Sequence, residues 1–164
     1  MSRVQVKDLI IDNDKPFTLI AGLNVLESKE ITEQVISECV KVSKELGIPY
    51  IFKASYDKAN RSSIDSYRGP GVKKGMEILS DLKDKHDVPI ISDVHNEREV
   101  EIVKDVLDVI QIPAFLCRQT DLVEKIARTG LPVNIKKAQF MSPSDIENVI
   151  TKFKSYGNEK LLLC

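Results

Sequence analysis

From Phe17 to Cys164, short runs rich in β-branched residues alternate with stretches of helical apolar spacing about every thirty residues. A strand that is followed by a helix before the next strand cannot return through a tight hairpin. The alternation therefore demands a parallel sheet with helices packed outside it. The strand runs are Phe17–Ala21, Pro49–Ala54, Val88–Asp93, a segment within Val106–Ile112, Pro132–Lys136 and Lys160–Cys164. Residues 4–11 precede them and read as a small hairpin, closed off by the turn chemistry of Asp12 to Pro16.

The helices carry their own punctuation. Ser28 is an N-cap for a helix reaching Leu46, with Ile31, Val35, Cys39, Val42 and Leu46 as its apolar face and Gly47 as its stop. Pro70 stands in the first turn of the second helix, whose core side is Val72, Met76, Leu79 and Leu82. A third begins near Asn96 with Glu97 and Glu99 in its first turn, and a fourth spans about Asp121 to Thr129, with Gly130 as stop. Ser142-Pro143-Ser144-Asp145 opens a fifth, buried through Ile146, Val149, Ile150 and Phe153. Lys73, Lys74 and Lys83 to Lys85 read as solvated helix surface, and His86 as a cap or loop residue.

Composition removes several classes. A formal net charge of −1 lacks the basic excess of a nucleic-acid binder. No window approaches the length of a transmembrane helix, and the first residues lack the apolar core of a signal peptide, which together suggest a cytoplasmic protein. Cys39, Cys117 and Cys164 are odd in number and far apart, so reduced thiols are expected, Cys39 as a small core filler.

Function is written at the strand ends. The carboxyl ends carry Asn24, Lys53 with Ser55, Asp93 with His95, Gln111, and Asn134 with Lys136. Partners two residues apart share a face of a strand. Lysine and aspartate are seldom buried alone. Five consecutive strands ending this way make sense if the ends converge on a ligand, as they do at one mouth of a (β/α)8 barrel and do not across an open doubly wound sheet. No Gly-x-Gly-x-x-Gly follows the first strand, which further weakens the dinucleotide-binding version. After the second strand a polar loop adds Lys58, Asn60, Arg61, Ser62 and Arg68, donors suited to phosphate. The donors fall into two sets, Lys53, Lys58 and Lys136 in one, and Asn60, Arg61, Ser62 and Arg118 in the other, which would suit two anionic ligands or one with two anionic ends. Plainer readings exist for each: lysines that reach solvent, a capping His95, an Asp93 that only pairs with a lysine.

Five blocks carry a resemblance. Phe52-Lys-Ala-Ser-Tyr-Asp-Lys-Ala-Asn-Arg-Ser-Ser63, Tyr67-Arg-Gly-Pro-Gly71, Ser92-Asp-Val-His95, Gln111-Ile-Pro-Ala-Phe-Leu-Cys-Arg-Gln-Thr-Asp121 and Asn134-Ile-Lys-Lys-Ala-Gln-Phe140 resemble the 3-deoxy-D-manno-octulosonate 8-phosphate (KDO-8-phosphate) synthases. The sister 3-deoxy-arabino-heptulosonate 7-phosphate synthases typically show Lys-Pro-Arg-Thr where this chain has Lys58-Ala-Asn-Arg-Ser-Ser63. The resemblance implies a (β/α)8 TIM barrel, cytoplasmic and homotetrameric, in KDO and lipopolysaccharide biosynthesis. It would condense phosphoenolpyruvate with D-arabinose 5-phosphate and release inorganic phosphate by C–O cleavage. Carried over by position, Lys53, Lys58, Gln111, Ala114 and Lys136 would surround phosphoenolpyruvate, with Ser55 nearby. Asn60, Arg61 and Ser62 would hold the sugar phosphate, Arg118 would reach in from a neighbouring subunit, and Asp93 would lie near the sugar hydroxyls. Asn24 stands where one version of the family has a metal-binding cysteine, so the resemblance implies the metal-independent version, with no cofactor.

Residues 1–164 are thus expected to form a single partial barrel domain, with an N-terminal hairpin over residues 1–12 and the first five to six of eight strands. Such a sheet exposes an apolar edge and inner face, so the lone chain is expected to be unstable unless the remaining strands are supplied. The competing reading is a non-catalytic fragment that binds phosphates or partners. Intact mass separates the two: a species well above 18.5 kDa favours the enzyme.

Overall fold

The structure, a computed structural model, describes residues 3–164. Met1 and Ser2, the start of the expected hairpin segment, lie outside the described residues. The hairpin pairs β1 (Val4–Val6) with β2 (Leu9–Ile11) antiparallel, turning at Lys7 with a left-handed φ of 48°. Then come β3 (Leu19–Leu23), α1 (Lys29–Leu46), β4 (Tyr50–Ala54), α2 (Val72–His86), β5 (Ile90–Asp93), α3 (Glu97–Val103), β6 (Val109–Ile112), α4 (Thr120–Ala127), β7 (Val133–Ile135), α5 (Ile146–Ser155) and β8 (Leu161–Leu163).

The six strands from β3 to β8 form one parallel sheet, each hydrogen-bonded to the next in chain order. A doubly wound sheet reverses its order at a switch point; this one never does. Unreversed order with a helix after each strand is the wall of a (β/α)8 barrel, of which the chain supplies six strands.

The outer face of the sheet packs on the helices through Phe52, Ile90, Ile110, Ile112, Val133 and Ile135, with Leu79, Leu82, Val100, Ile126 and Phe153 opposite them. A second, smaller core fills the amino end of the inner face. There Ile51, Ile91 and Val109 meet Val4 and Val6 of the hairpin, with Leu9, Ile11, Ile20 and Leu162 around them. The hairpin is the floor of the barrel. Gly22 lies beside Lys53 in the register, with φ of 152°, and a β-carbon there would stand 2.2 Å from the Lys53 carbonyl oxygen. Only glycine fits this approach.

Five readings need correction. The core line of α1 is Thr32, Ile36 and Ser43, flanked by half-buried Val35, Cys39 and Val40, whereas Ile31, Val42 and Leu46 are exposed. Thr32 and Ser43 give their hydroxyls to the carbonyls of Ser28 (2.8 Å) and Val40 (3.1 Å), so they bury cheaply and disguise the face. The helix after β4 starts at Val72, because Gly71 has φ of 82° and donates its N–H to the Tyr56 carbonyl; Pro70 lies before the helix. Lys83 is no solvated surface lysine: its ammonium reaches Asp108 at 2.9 Å and the Val106 carbonyl at 2.7 Å. His86 is the last residue of α2, its Nε2 2.9 Å from Glu33. Asn96 does cap α3, accepting from the N–H groups of Arg98 and Glu99. The Ser142–Asp145 box closes reciprocally but does not open the fifth helix: it forms a turn, and α5 begins only at Ile146.

Candidate active site at the carboxyl end of the strands

Period-two alternation carries the inner face from the floor to the mouth. Ile51 belongs to the floor; two residues on, Lys53 points the same way, and Ser55 follows one residue past β4. Likewise Ile91 leads to Asp93 on β5, and Val109 to Gln111 on β6. Asp93, Gln111 and Asn134 are register partners across three strands, so they form one level of the wall.

Two lysines converge on one hydroxyl. The ammonium of Lys53 lies 2.8 Å from Ser55 Oγ and that of Lys58 lies 2.7 Å from it. Lys53 also reaches the carbonyls of Leu23 and Asn24, each at 3.5 Å. Behind them, Asp93 Oδ2 is 3.8 Å from Lys58 and 3.6 Å from His95 Nε2. Across the wall, the Asn134 amide donates to Gln111 Oε1 at 3.0 Å, fixing both side chains. Asn24, Lys53, Gln111, Asn134 and Lys136 share the wall of one cavity of about 820 Å³. That lies within the size range of small-molecule sites.

The charges are tuned by this crowding. Burial disfavours the Lys53 ammonium and brings its pKa down to about 8; Asp93 opposes that pull, while Lys58 and Lys136 reinforce it. For Asp93, burial alone would raise the carboxyl, but His95, Ser55, Lys58 and Lys53 outweigh it and hold it below the usual carboxylate range. Burial likewise works against the His95 imidazolium, yet Asp93 and Glu99 raise its pKa to about 9.

Other expected residues stand elsewhere. Asn60, Arg61 and Ser62 are exposed in the loop after β4, which Arg68 braces by donating to Asp57 at 2.8 Å. Arg61 Nε donates to the Tyr67 carbonyl at 3.3 Å. Ala114 begins an unforeseen 3-10 turn, Ala114–Leu116. Arg118 is exposed and lines a separate cavity of about 340 Å³ with Met141, Asp145, Asn148, Val149 and Lys152. Asn60, Arg61 and Ser62 line neither cavity, so the second expected donor set is not gathered, and of the first set Lys53 and Lys136 line the larger cavity while Lys58 does not. His95, paired with Asp93 at the strand end with a cap as its plainer reading, is indeed a partner of Asp93. The Ser92-Asp-Val-His95 spacing carried that signal; Glu99 and Tyr56, which complete its surroundings, had none.

A parallel wall of six strands in unreversed order, with lysines, amides and one buried carboxylate at its mouth, is part of a barrel of the TIM type. The chain belongs to the DAHP synthetase I family, whose sequence pattern matches residues 2–164. It is 58% identical over 161 residues to the 2-dehydro-3-deoxyphosphooctonate aldolase of Vibrio vulnificus (strain YJ016), an alignment covering 98% of this chain and 57% of that protein. Proteins of the same name from Vibrio parahaemolyticus and Aliivibrio fischeri (strain MJ11) are 57% and 55% identical over the same shares. The chain thus spans little more than half the length of these relatives. Among the described residues, no helix is long and apolar enough to cross a membrane.

Proposed function

We propose that this chain is part of a 3-deoxy-8-phosphooctulonate synthase, a transferase that condenses phosphoenolpyruvate with D-arabinose 5-phosphate in KDO biosynthesis for lipopolysaccharide. The observation that carries the reading is the meeting of Lys53 and Lys58 on Ser55 beside Asp93, on strands whose neighbours place Gln111, Asn134 and Lys136 on the cavity wall. The relatives' shared name agrees with it.

In this reading residues 1–164 are one barrel domain. Lys53, Lys58 and Lys136, with Gln111, Ala114 and Ser55, surround the enol phosphate and offset the negative charge that develops as its C3 attacks the aldehyde. Asn60, Arg61 and Ser62 hold the sugar phosphate; Arg118 comes from a neighbouring subunit of a cytoplasmic homotetramer. Its place on an outer cavity, away from Lys53 and Lys136, suits a residue that serves another copy. Holding two anions together against their repulsion supplies much of the rate.

Phosphate release from phosphoenolpyruvate tests the reading, with arabinose 5-phosphate run against erythrose 4-phosphate. Turnover only with the five-carbon sugar supports it; preference for the four-carbon sugar selects heptulosonate chemistry, and none with either leaves a binding fragment. Asn24 on the cavity wall offers an amide, a poor ligand for a divalent ion. Activity is therefore expected to survive EDTA, and loss restored by a divalent ion would overturn the metal-independent reading.

A further inference from the structure

The two oxygens of Asp93 have different surroundings. Oδ2 faces Lys58 at 3.8 Å and His95 Nε2 at 3.6 Å, whereas Oδ1 is buried without a hydrogen-bond partner among the described residues. An orphaned buried carboxylate oxygen is costly unless something fills its valence. The His95 ring that fixes Oδ2 is itself fixed from α3. Glu99 Oε2 lies 3.2 Å from His95 Nδ1 and accepts the His95 backbone N–H at 2.7 Å. The same oxygen accepts the Tyr56 hydroxyl at 2.8 Å, and the Tyr56 ring meets the imidazole edge-on at 5.7 Å. Both ring nitrogens of His95 therefore face carboxylate oxygens, and a neutral imidazole has only one N–H to offer.

We propose that Glu99 is a positioning residue: it holds the His95 ring as a two-donor cation beside Asp93, and through that ion pair fixes the carboxylate that the proposed function needs near the polyol substrate. This rests on the proposed function for the identity of the polyol, but not for the chain from Glu99 to Asp93. The titratable and charged groups around the ring are Asp93 from β5, Glu99 from α3, and Tyr56 and Lys58 from the loop after β4. Lys53 acts on it through Asp93, and Asp57 and Arg68 stand further out beside Tyr56 and Glu99. Burial alone would drive the proton off His95; the two carboxylates keep it on. Removing the Glu99 charge removes one of the two.

Glu99→Gln keeps an oxygen able to accept from Tyr56 and from the His95 backbone, so the loop geometry is retained. In the protein bearing this change, the His95 ring titration, followed by nuclear magnetic resonance, is expected to fall by ~1 pH unit or more. For the active enzyme, KM for arabinose 5-phosphate should rise several-fold above the new midpoint and recover below it, with kcat little changed. Tyr56→Phe, which leaves Glu99 charged, should move neither readout as far. An unchanged His95 midpoint in Glu99→Gln overturns the proposal, as does a KM penalty that does not vary with pH. If the unsubstituted enzyme shows no turnover, the functional reading fails while the His95 titration still decides the role of Glu99.

Discussion

The floor and the mouth of the barrel are built on the same strands, two residues apart, and they obey opposite rules. At the floor Ile51, Ile91 and Val109 close against Val4 and Val6 in a purely apolar contact. At the mouth the next inward positions are Lys53, Asp93 and Gln111, where charge is brought out of water and held by partners. The floor gains free energy from burial; the mouth gives some back, as the depressed Lys53 shows. One strand thus carries apolar packing at one end and buried charge at the other.

The sharpest way to break this contrast is at Lys53. Replacing it with Met is expected to lower turnover by about 10²–10³-fold, ~3–4 kcal/mol of transition-state stabilisation. Stability to denaturant should change by less than ~1 kcal/mol, because a half-buried ammonium of lowered pKa does not help the fold. Steady-state phosphate release and urea titration of the same sample check both halves. A large loss of stability would make Lys53 part of the scaffold instead.

The mirror-image change is Ile91→Val at the floor. Ile91 is fully buried, so loss of one methyl group should cost ~0.5–1.5 kcal/mol of stability and leave KM and kcat near their original values. Urea midpoints with parallel kinetics decide it. Loss of activity without loss of stability would show that the floor transmits to the mouth and is no mere plug.

The strand order and the hairpin were legible because both follow from period; the hairpin's place as the floor was not. Two-residue alternation at strand ends named Lys53/Ser55, Asp93/His95 and Asn134/Lys136, and each pair does share a contact or a wall. Less legible was whatever depends on hydroxyls satisfying themselves locally. Thr32 and Ser43 read as polar, yet they are the buried line of α1 while Ile31 and Leu46 face out. Glu99 read as a first-turn acid suited to the helix dipole. Its second role needs His95 and Tyr56 brought in from β5 and from the loop after β4, a tertiary fact with no trace in local spacing. Arg118 shows the opposite limit, since nothing within one chain brings it to the cavity that Lys53 and Lys136 line.

The smallest expected effect separates floor from mouth by pH. His95 has a folded pKa of about 9 against an ordinary 6.5, so the folded state binds more protons than the unfolded chain between these values. Its contribution is fully present below pH 6.5 and is lost as pH rises through 9. Lys53 works the other way, since its folded pKa of about 8 lies below the ordinary 10.5 and stability is regained from it between pH 8 and 10.5. The window between pH 6.5 and 8 therefore isolates the histidine. A His95→Gln variant should lack the decline there that the unsubstituted chain shows, on the order of 1 kcal/mol once screening at a partly open site is allowed for. The Ile91→Val penalty, which involves no ionisable group, should be the same at both ends of that window. Chemical denaturation at the two pH values measures all three chains. A penalty at Ile91 that moved with pH would mean the two ends of the strands are electrostatically coupled, and the division between floor and mouth would have to be redrawn.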